Sequence, residues 1–184
     1  MRVGWVEATP KFAHGVAQVG TTSSGGQPSQ MASTFISHLL EHGTLQKRIS
    51  EVLQPAYGSR YRALHAAIEK HLVPLGVTLP QSDRDVVGGY FVWLTLPSAI
   101  YADKLAARCR EEENVVVAPG SMFEVPGDDS VKFEHCARFC FAWETEENMA
   151  QGVKRVADVL GRMLKGEKGT NGASEKSNDA HDFW

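Results

Sequence analysis

The sequence lacks long apolar runs, has only three cysteines and carries no excess of positive charge. A membrane-spanning helix needs about 20 consecutive apolar residues, and no stretch approaches that length. The 19 Lys and Arg residues and 22 Asp and Glu residues give a net charge of -3, whereas nucleic-acid-binding surfaces are strongly basic. We therefore expect no membrane and no nucleic acid as a partner. No basic and apolar leader follows Met1, so we expect a cytoplasmic protein.

The cysteines do not indicate a disulfide or a zinc centre. Cys136 and Cys140 lie four residues apart in a strand-like segment, about 13 Å at the rise of a strand, which is too far for a disulfide. Cys109 lies in a helix-like segment. Together with His135, Cys136 and Cys140 do not have the ligand spacing of a zinc knuckle. We expect reduced cysteines that pack as small apolar side chains.

The clearest pattern is the alternation in residues 133–143, which read F-E-H-C-A-R-F-C-F-A-W. Aromatic residues and alanine fall on one parity, as in a half-buried β-strand. Arg138 lies on the other parity between two cysteines. A guanidinium in such surroundings needs an anion, because burying an unpaired charge is costly. That anion is either an internal carboxylate, for example Glu134 or Glu144, or a ligand.

The remaining pattern predicts an α+β fold in which a small sheet of about three strands is covered by helices. The strands are expected at residues 88–97, 114–118 and 133–143. Helical spacing continues through Pro55, which predicts one long helix, kinked or restarted there. Residues 2–8 predict a separate strand at the start of the chain. Further helices are predicted by their capping residues and apolar spacing, beginning at Pro10, near Pro28, at Thr44, at Ser98 and at Thr145.

Four stretches together resemble the carboxy-terminal part of a fold-type I, class I/II pyridoxal-phosphate aminotransferase. They are M-R-V-G-W at 1–5, G-G-Y-F-V-W-L at 88–94, V-V-V-A-P-G-S-M-F at 115–123 and A-R-F-C-F-A at 137–142. The resemblance covers about residues 1–164 and is strongest to the α-aminoadipate and kynurenine aminotransferase branch. It implies that pyridoxal 5'-phosphate is the cofactor, that amino acids and 2-oxo acids are the substrates, and that the full-length protein is a homodimer.

The resemblance also implies roles for single residues. Arg2 matches the arginine that contacts the cofactor phosphate, and Arg138 matches the arginine that binds the α-carboxylate of the substrate. Gly88 and Gly89 match glycines that line the substrate pocket, and residues 119–123 lead into a loop over the site. Residues 1–54 would be the end of the large cofactor-binding domain and residues 55–165 an interdomain helix with the small domain. The polar residues 166–184 are expected to be disordered.

The sequence departs from the family where the chemistry is carried out. The lysine that forms the Schiff base and the aspartate that pairs with the pyridinium nitrogen would both precede Met1, so we expect a fragment that is inactive alone. Lysines such as Lys11, Lys104 and Lys132 lie outside the family's lysine motif. The alternative is a non-catalytic relic or an interaction module of the same fold. Related pyridoxal-phosphate proteins also include decarboxylases, lyases and transcription regulators.

Overall fold

The computed structural model describes residues 6–23, 29–80, 88–167 and 169. The chain divides into two compact units, Met1–Pro55 and Ala56–Trp184. It combines helices with a three-stranded antiparallel sheet, which confirms the predicted fold class. The assignment of residues 1–54 and 55–165 to two domains of an enzyme stays a prediction, and most of the predicted disordered tail lies outside the described residues. No helix in the described ranges is long and apolar enough to span a membrane.

The first unit is helical in its described residues. Its elements are α1 (Pro10–Ala17), α2 (Gly20–Ser23), α3 (Gln30–Glu41), α4 (Thr44–Arg48) and a π-helical turn (Ile49–Leu53). Pro10 suits the first position of α1, where no N–H donor is needed. The Ser29 hydroxyl accepts a hydrogen bond from the Ala32 N–H at 3.4 Å and caps α3. Gly43, with φ of 65°, separates α3 from α4, so the predicted cap at Thr44 lies one residue too late.

The strand predicted at residues 2–8 is wrong for the residues that the structure describes. Residues 6–8 have no regular secondary structure, and the Val6 side chain is 57% exposed. Residues 1–5 lie outside the described part of the chain. Residues 6–8 pair with none of the described strands, and a lone strand leaves its backbone hydrogen-bonding groups without partners. Local alternation alone was not enough to form a strand here.

The long helix α5 (Gln54–His71) confirms the prediction of one long helix that includes Pro55. The helical backbone continues without a break from the π-helical turn into α5, so Pro55 lies inside a helical run, at the point where π-helical hydrogen bonding changes to α-helical. The π-helical turn comes directly before α5, and such widened turns are common where a helix is interrupted. Farther along, Leu64 and Ile68 are buried on one face of α5.

The sheet consists of β1 (Phe91–Thr95), β2 (Ala118–Pro119) and β3 (Cys136–Cys140), in the order β1-β3-β2. Both pairings are antiparallel. Trp93 of β1 and Ala118 of β2 are the register partners of Arg138, which places that arginine in the middle of the central strand.

One face of the sheet forms the core of the second unit, with α5, α6 (Ala102–Glu113) and α7 (Glu146–Leu164). The alternation of β3 is confirmed, because Ala137 and Phe139 are buried whereas Arg138 is only half-buried. Each fully buried aliphatic side chain contributes roughly 1.5–3 kcal/mol. The fully buried side chains of the three helices and of β1 are Leu64, Ile68, Leu94, Leu105, Val156, Val159, Leu160 and Cys109. Burial raises the pKa of the Cys109 thiol to about 12, so this cysteine is an inert core residue.

Several predicted boundaries differ from the structure. The strand predicted at residues 88–97 is shorter and spans Phe91–Thr95. The strand predicted at residues 114–118 pairs only at Ala118 and Pro119, because Asn114 turns the chain at the end of α6 with φ of 51°. Helix α6 begins at Ala102 rather than at Ser98. Trp143 was predicted to face the core but is 87% exposed, since β3 ends at Cys140 and the alternation no longer applies.

Candidate functional site

The face of the sheet opposite the core carries Arg138 and a group of aromatic side chains. Phe91 and Trp93 belong to β1, and Phe123 and Phe133 lie before β3. The Trp93 ring contacts the rings of Phe123 and Phe133, with centroids 5.5 and 5.3 Å apart. We call these four residues with Arg138 the arginine face.

Two rings contact the guanidinium of Arg138. Its central carbon lies 3.8 Å from the centroid of the Phe91 ring and 4.3 Å from that of Phe123. Aromatic rings contact the flat faces of a guanidinium, whereas its N–H groups point outward in its plane. These two uncharged rings therefore contact the guanidinium without accepting hydrogen bonds from its N–H groups in its plane.

The internal ion pair considered from the sequence is not observed. Among the described residues, no salt bridge or hydrogen bond involves the Arg138 side chain. The Glu144 carboxylate instead accepts a hydrogen bond from the Asn148 amide at 3.0 Å. Glu134 likewise forms no ion pair with any residue that the structure describes. Within the described structure Arg138 is a half-buried cation without an anion.

A closed loop places Phe123 on the arginine face. Residues Gly120–Phe123 form a 3₁₀ turn, and the following Glu124 accepts a hydrogen bond from the Phe133 N–H at 2.7 Å. Lys132 also lies 3.4 Å from the Glu124 carboxylate. Glu124 therefore joins the two ends of the loop between Phe123 and Phe133. A Cβ at Gly120 would lie 2.7 Å from the Phe133 Cβ and 2.9 Å from the Cys136 Cβ, so only glycine fits there.

The two predicted pocket glycines precede β1 and are exposed. Gly89 has φ of +80°, a conformation that favours glycine. A Cβ on Gly88 or Gly89 would meet no atom within 4 Å in the described structure. The backbone explains Gly89, whereas nothing in the described residues explains Gly88. The remaining predicted site residue, Arg2, lies outside the described residues.

Sequence reasoning missed the aromatic residues of the arginine face. It placed Phe133 on the core side of the strand, and this was wrong, because Phe133 lies before β3 and contacts Trp93 on the opposite face. Phe91 lies in the apolar stretch predicted as a strand at residues 88–97, yet its side chain is 45% exposed. Phe123 lies in a loop with no periodic signal. Their contact with Arg138 depends on the register of β1 against β3 and on the closed loop, and neither is visible in the sequence.

Two lysines named in the sequence analysis, Lys132 and Lys104, lie close to other side chains. The Lys132 ammonium lies 2.8 Å from Asp129 and 3.4 Å from Glu124, and hydrogen bonds to these carboxylates raise its pKa. Lys104 lies 5.3 Å from the Tyr101 ring centroid on α6.

A cavity of about 480 Å³ in the second unit does not include Arg138. It lies between residues 114–117, the end of β3 and the first half of α7, and its lining includes Val115, Cys140 and Asn148. Volume alone would place a ligand there. The cavity lining also includes two charged residues, Glu144, which accepts a hydrogen bond from Asn148, and Arg155, which donates one to the Glu113 carbonyl at 3.5 Å. We place the candidate site on the arginine face because the Arg138 guanidinium has no hydrogen-bond or ion-pair partner in the described residues and lies against two aromatic rings.

Comparison with known proteins indicates one family. The family model for aminotransferase class I and II matches residues 1–156. A 2-aminoadipate transaminase of Thermus thermophilus is 30% identical over 90% of the chain and 38% of its own length. An uncharacterized protein of Saccharomyces cerevisiae is 30% identical over 93% of the chain and 37% of its own length.

A solved structure has the same fold. LysN, the α-aminoadipate aminotransferase of Thermus thermophilus in complex with N-(5'-phosphopyridoxyl)-L-leucine, superposes with a TM-score of 0.67 at 26% identity. The match covers 86% of the chain and 37% of LysN. The chain thus spans a little over a third of the length of each of these relatives.

Proposed function

Since this chain belongs to the class I and II aminotransferases, we propose that Arg138 binds the α-carboxylate of the substrates of a transamination. The reaction moves an amino group between an amino acid and a 2-oxo acid, and enzymes of this family use pyridoxal phosphate. Both substrates carry the same carboxylate beside the reacting carbon, so one arginine can bind both. In this proposal the activity belongs to a complete transaminase that contains these residues, and that enzyme is a homodimer.

The proposal rests on the surroundings of the Arg138 guanidinium. Its guanidinium lies over the rings of Phe91 and Phe123 and has no carboxylate partner among the described residues. An internal ion pair would have satisfied the charge and removed the need for a ligand. A half-buried cation held in one place is the arrangement that a carboxylate-binding site requires.

The geometry of the guanidinium determines how a substrate binds. A carboxylate that approaches in its plane accepts two parallel N–H···O hydrogen bonds, which fix both the position and the rotation of the carboxylate. The adjacent α-carbon is then oriented for the loss or gain of its proton. The neighbouring rings partly bury the guanidinium, which strengthens such charged hydrogen bonds relative to those in bulk water. Arg138 in this role positions the substrate and takes no part in proton transfer.

We further propose supporting roles for three residues. Gly88 and Gly89 leave room beside the start of β1, and we assign that room to part of the bound substrate. Arg2 is assigned to the phosphate of the cofactor. The identity of the amino acid depends in this scheme on residues outside the described structure as well.

Carboxylate binding can be tested on the chain itself by NMR of arginine side chains. With ¹⁵N-labelled arginine, adding a 2-oxo acid such as 2-oxoglutarate is expected to shift the Arg138 Nε–H signal in a saturable way. Arg138→Lys identifies this signal by removing it. The exposed Arg62 of α5 is the matched control, and its signal is expected to stay in place. An Arg138 signal that moves no more than that of Arg62 would contradict the proposal.

We also expect the chain alone to lack transaminase activity. None of its lysines lies in the family's Schiff-base motif, and the paired Lys132 is held protonated. Purified chain mixed with pyridoxal phosphate should therefore show no shifted Schiff-base absorbance after dialysis. A complete transaminase treated in the same way is the positive control. A stable shift of one equivalent would show that one of these lysines does form the adduct.

An interaction module is the second candidate, and the exposed aromatic residues of the second unit favour it. The Trp143 side chain is 87% exposed, Tyr90 is 47% exposed and Phe91 is 45% exposed. Exposed aromatic residues are common at protein interfaces. A module of this kind would not need Arg138 to respond to small carboxylates, so the same NMR titration separates the two functions.

A further inference from the structure

The beginning of α5 is hydrogen-bonded to the segment that joins β3 to α7. The Arg60 guanidinium donates a hydrogen bond from Nη1 to the Ala142 carbonyl oxygen at 2.7 Å. The neighbouring Ser59 hydroxyl donates one to the Glu146 carboxylate at 2.6 Å. These bonds join residues 82 and 87 positions apart in the chain. The Arg60 bond is the better shielded of the two, because it is partly buried whereas the Ser59 bond is exposed.

The same part of α5 packs against both strands that carry the arginine face. The Tyr57 ring centroid lies 5.0 Å from that of Tyr90 and 6.5 Å from that of Phe141, and the Arg60 guanidinium carbon lies 6.0 Å from the same tyrosine ring. The Phe141 N–H donates a hydrogen bond to the Tyr90 carbonyl oxygen at 3.0 Å, which extends the pairing of β1 with β3 by one residue. Helix α5 therefore contacts the place where β1 begins and β3 ends.

This junction lies directly behind the contact between Phe91 and Arg138. Tyr90 contacts α5 on the core side of the sheet, whereas the next residue, Phe91, lies 3.8 Å from the Arg138 guanidinium on the opposite side. Consecutive residues are joined by a planar peptide unit, so a shift of the backbone at Tyr90 moves Phe91 as well. The position of Phe91 on the arginine face thus depends on contacts made behind the sheet.

We propose that Arg60 is a positioning residue for Arg138. Its hydrogen bond to Ala142 fixes the end of β3 on α5, and the backbone pairing with Tyr90 transmits this to the start of β1. Phe91 is thereby held against the Arg138 guanidinium. Arg60 itself does not contact the substrate. This inference rests on the proposed role of Arg138 in binding carboxylates, and it adds a residue behind the sheet on which that role depends.

NMR of the chain labelled with ¹⁵N-arginine tests this connection without any ligand. The ring current of Phe91 contributes to the chemical shift of the Arg138 Nε–H group, and Phe91→Leu shows in which direction the signal moves when the ring is removed. Arg60→Ala is expected to move the Arg138 signal in the same direction. Arg62→Ala is the matched control on the same helix, because Arg62 is exposed, and it should leave the signal in place.

Binding of 2-oxoglutarate to the same variants supplies the functional measurement. Arg60→Ala is expected to weaken binding by roughly 3- to 10-fold, the effect of losing about one net hydrogen bond. Arg60→Lys keeps a charged donor for the Ala142 carbonyl and should recover most of the affinity. Arg60→Met keeps the length of the side chain without its N–H donors, so it should behave like Arg60→Ala and replaces that variant if alanine prevents folding.

The outcomes separate a positioning role from a purely structural one. A structural role alone predicts that Arg60→Ala unfolds at a lower urea concentration while its Arg138 signal stays in place, and that result would overturn the proposal. An Arg60→Lys chain that binds as weakly as Arg60→Ala would overturn it too. If 2-oxoglutarate fails to shift the Arg138 signal even in the unmodified chain, the proposed carboxylate binding fails, and the ligand-free comparison still decides whether Arg60 positions Arg138.

Discussion

In a transaminase that contains these residues, Arg138→Ala is expected to lower kcat/KM for amino acids by roughly 30- to 1,000-fold. Removing one partner of a hydrogen-bonded charge pair costs about 2–4 kcal/mol, and each 1.36 kcal/mol corresponds to a factor of ten. Much of the effect is expected in KM, because the guanidinium binds substrate and transition state alike. The absorbance of bound pyridoxal phosphate should be unchanged, since Arg138 is not proposed to contact the cofactor.

Arg138→Lys separates charge from shape. Lysine keeps the positive charge but offers a single ammonium in place of the planar pair of donors, so partial recovery is expected. The matched control is Arg62→Ala, which removes an exposed arginine of α5 and should leave the kinetics unchanged. If Arg138→Ala and the unmodified enzyme had the same kcat/KM, Arg138 would not bind substrate and would have only a structural role in the sheet.

The rings around Arg138 explain why its guanidinium is available to bind a substrate. Phe91 and Phe123 contact the guanidinium at 3.8 and 4.3 Å, so Arg138 is held by neighbours that carry no charge. Aromatic rings can stabilise the cation without competing with a ligand for its N–H groups. This distinguishes the arginine face from the ion pair that the sequence first suggested. A carboxylate partner at the same place would have occupied the donors that a substrate needs.

The strand carrying Arg138 was predictable because its evidence is local. A strand with one buried face must alternate, and Ala137, Arg138 and Phe139 do so in the sequence and in the structure. The helix cap at Thr145 was also local, since its hydroxyl accepts the Asn148 N–H at 3.2 Å only three residues away. Where a few residues close together in the chain determine the local structure, the sequence was enough to predict it.

The failures depend on contacts between distant residues. The strand predicted at residues 2–8 had the right pattern but no partner strand for residues 6–8 in the described structure. Residues 119–123 were expected to lead into a loop over the site, but the contact of Phe123 with Arg138 could not be predicted, because it depends on the hydrogen bond from the Phe133 N–H to Glu124. Strand register likewise places Phe91 beside Arg138, and register is set by the whole sheet and its turns.

Gly120→Ala is expected to destabilise the second unit by about 1–3 kcal/mol, the usual cost of forcing extra volume into a packed site. The new Cβ would lie 2.7 Å from the Phe133 Cβ and 2.9 Å from the Cys136 Cβ. It would also collide with the Phe133 carbonyl group, and backbone atoms cannot move aside as a flexible side chain does. The measurement is urea unfolding followed by tryptophan fluorescence.

Gly152→Ala in α7 is the matched control, because the same methyl group there meets no atom within 4 Å. Alanine in a helix is more stable than glycine by up to about 1 kcal/mol, so this variant should unfold at a higher urea concentration. The two substitutions add one methyl each and are expected to act in opposite directions. If Gly120→Ala were as stable as the unmodified chain, the tight contact between the 3₁₀ turn and β3 would not exist. Phe123 would then lose the packing that places it against Arg138.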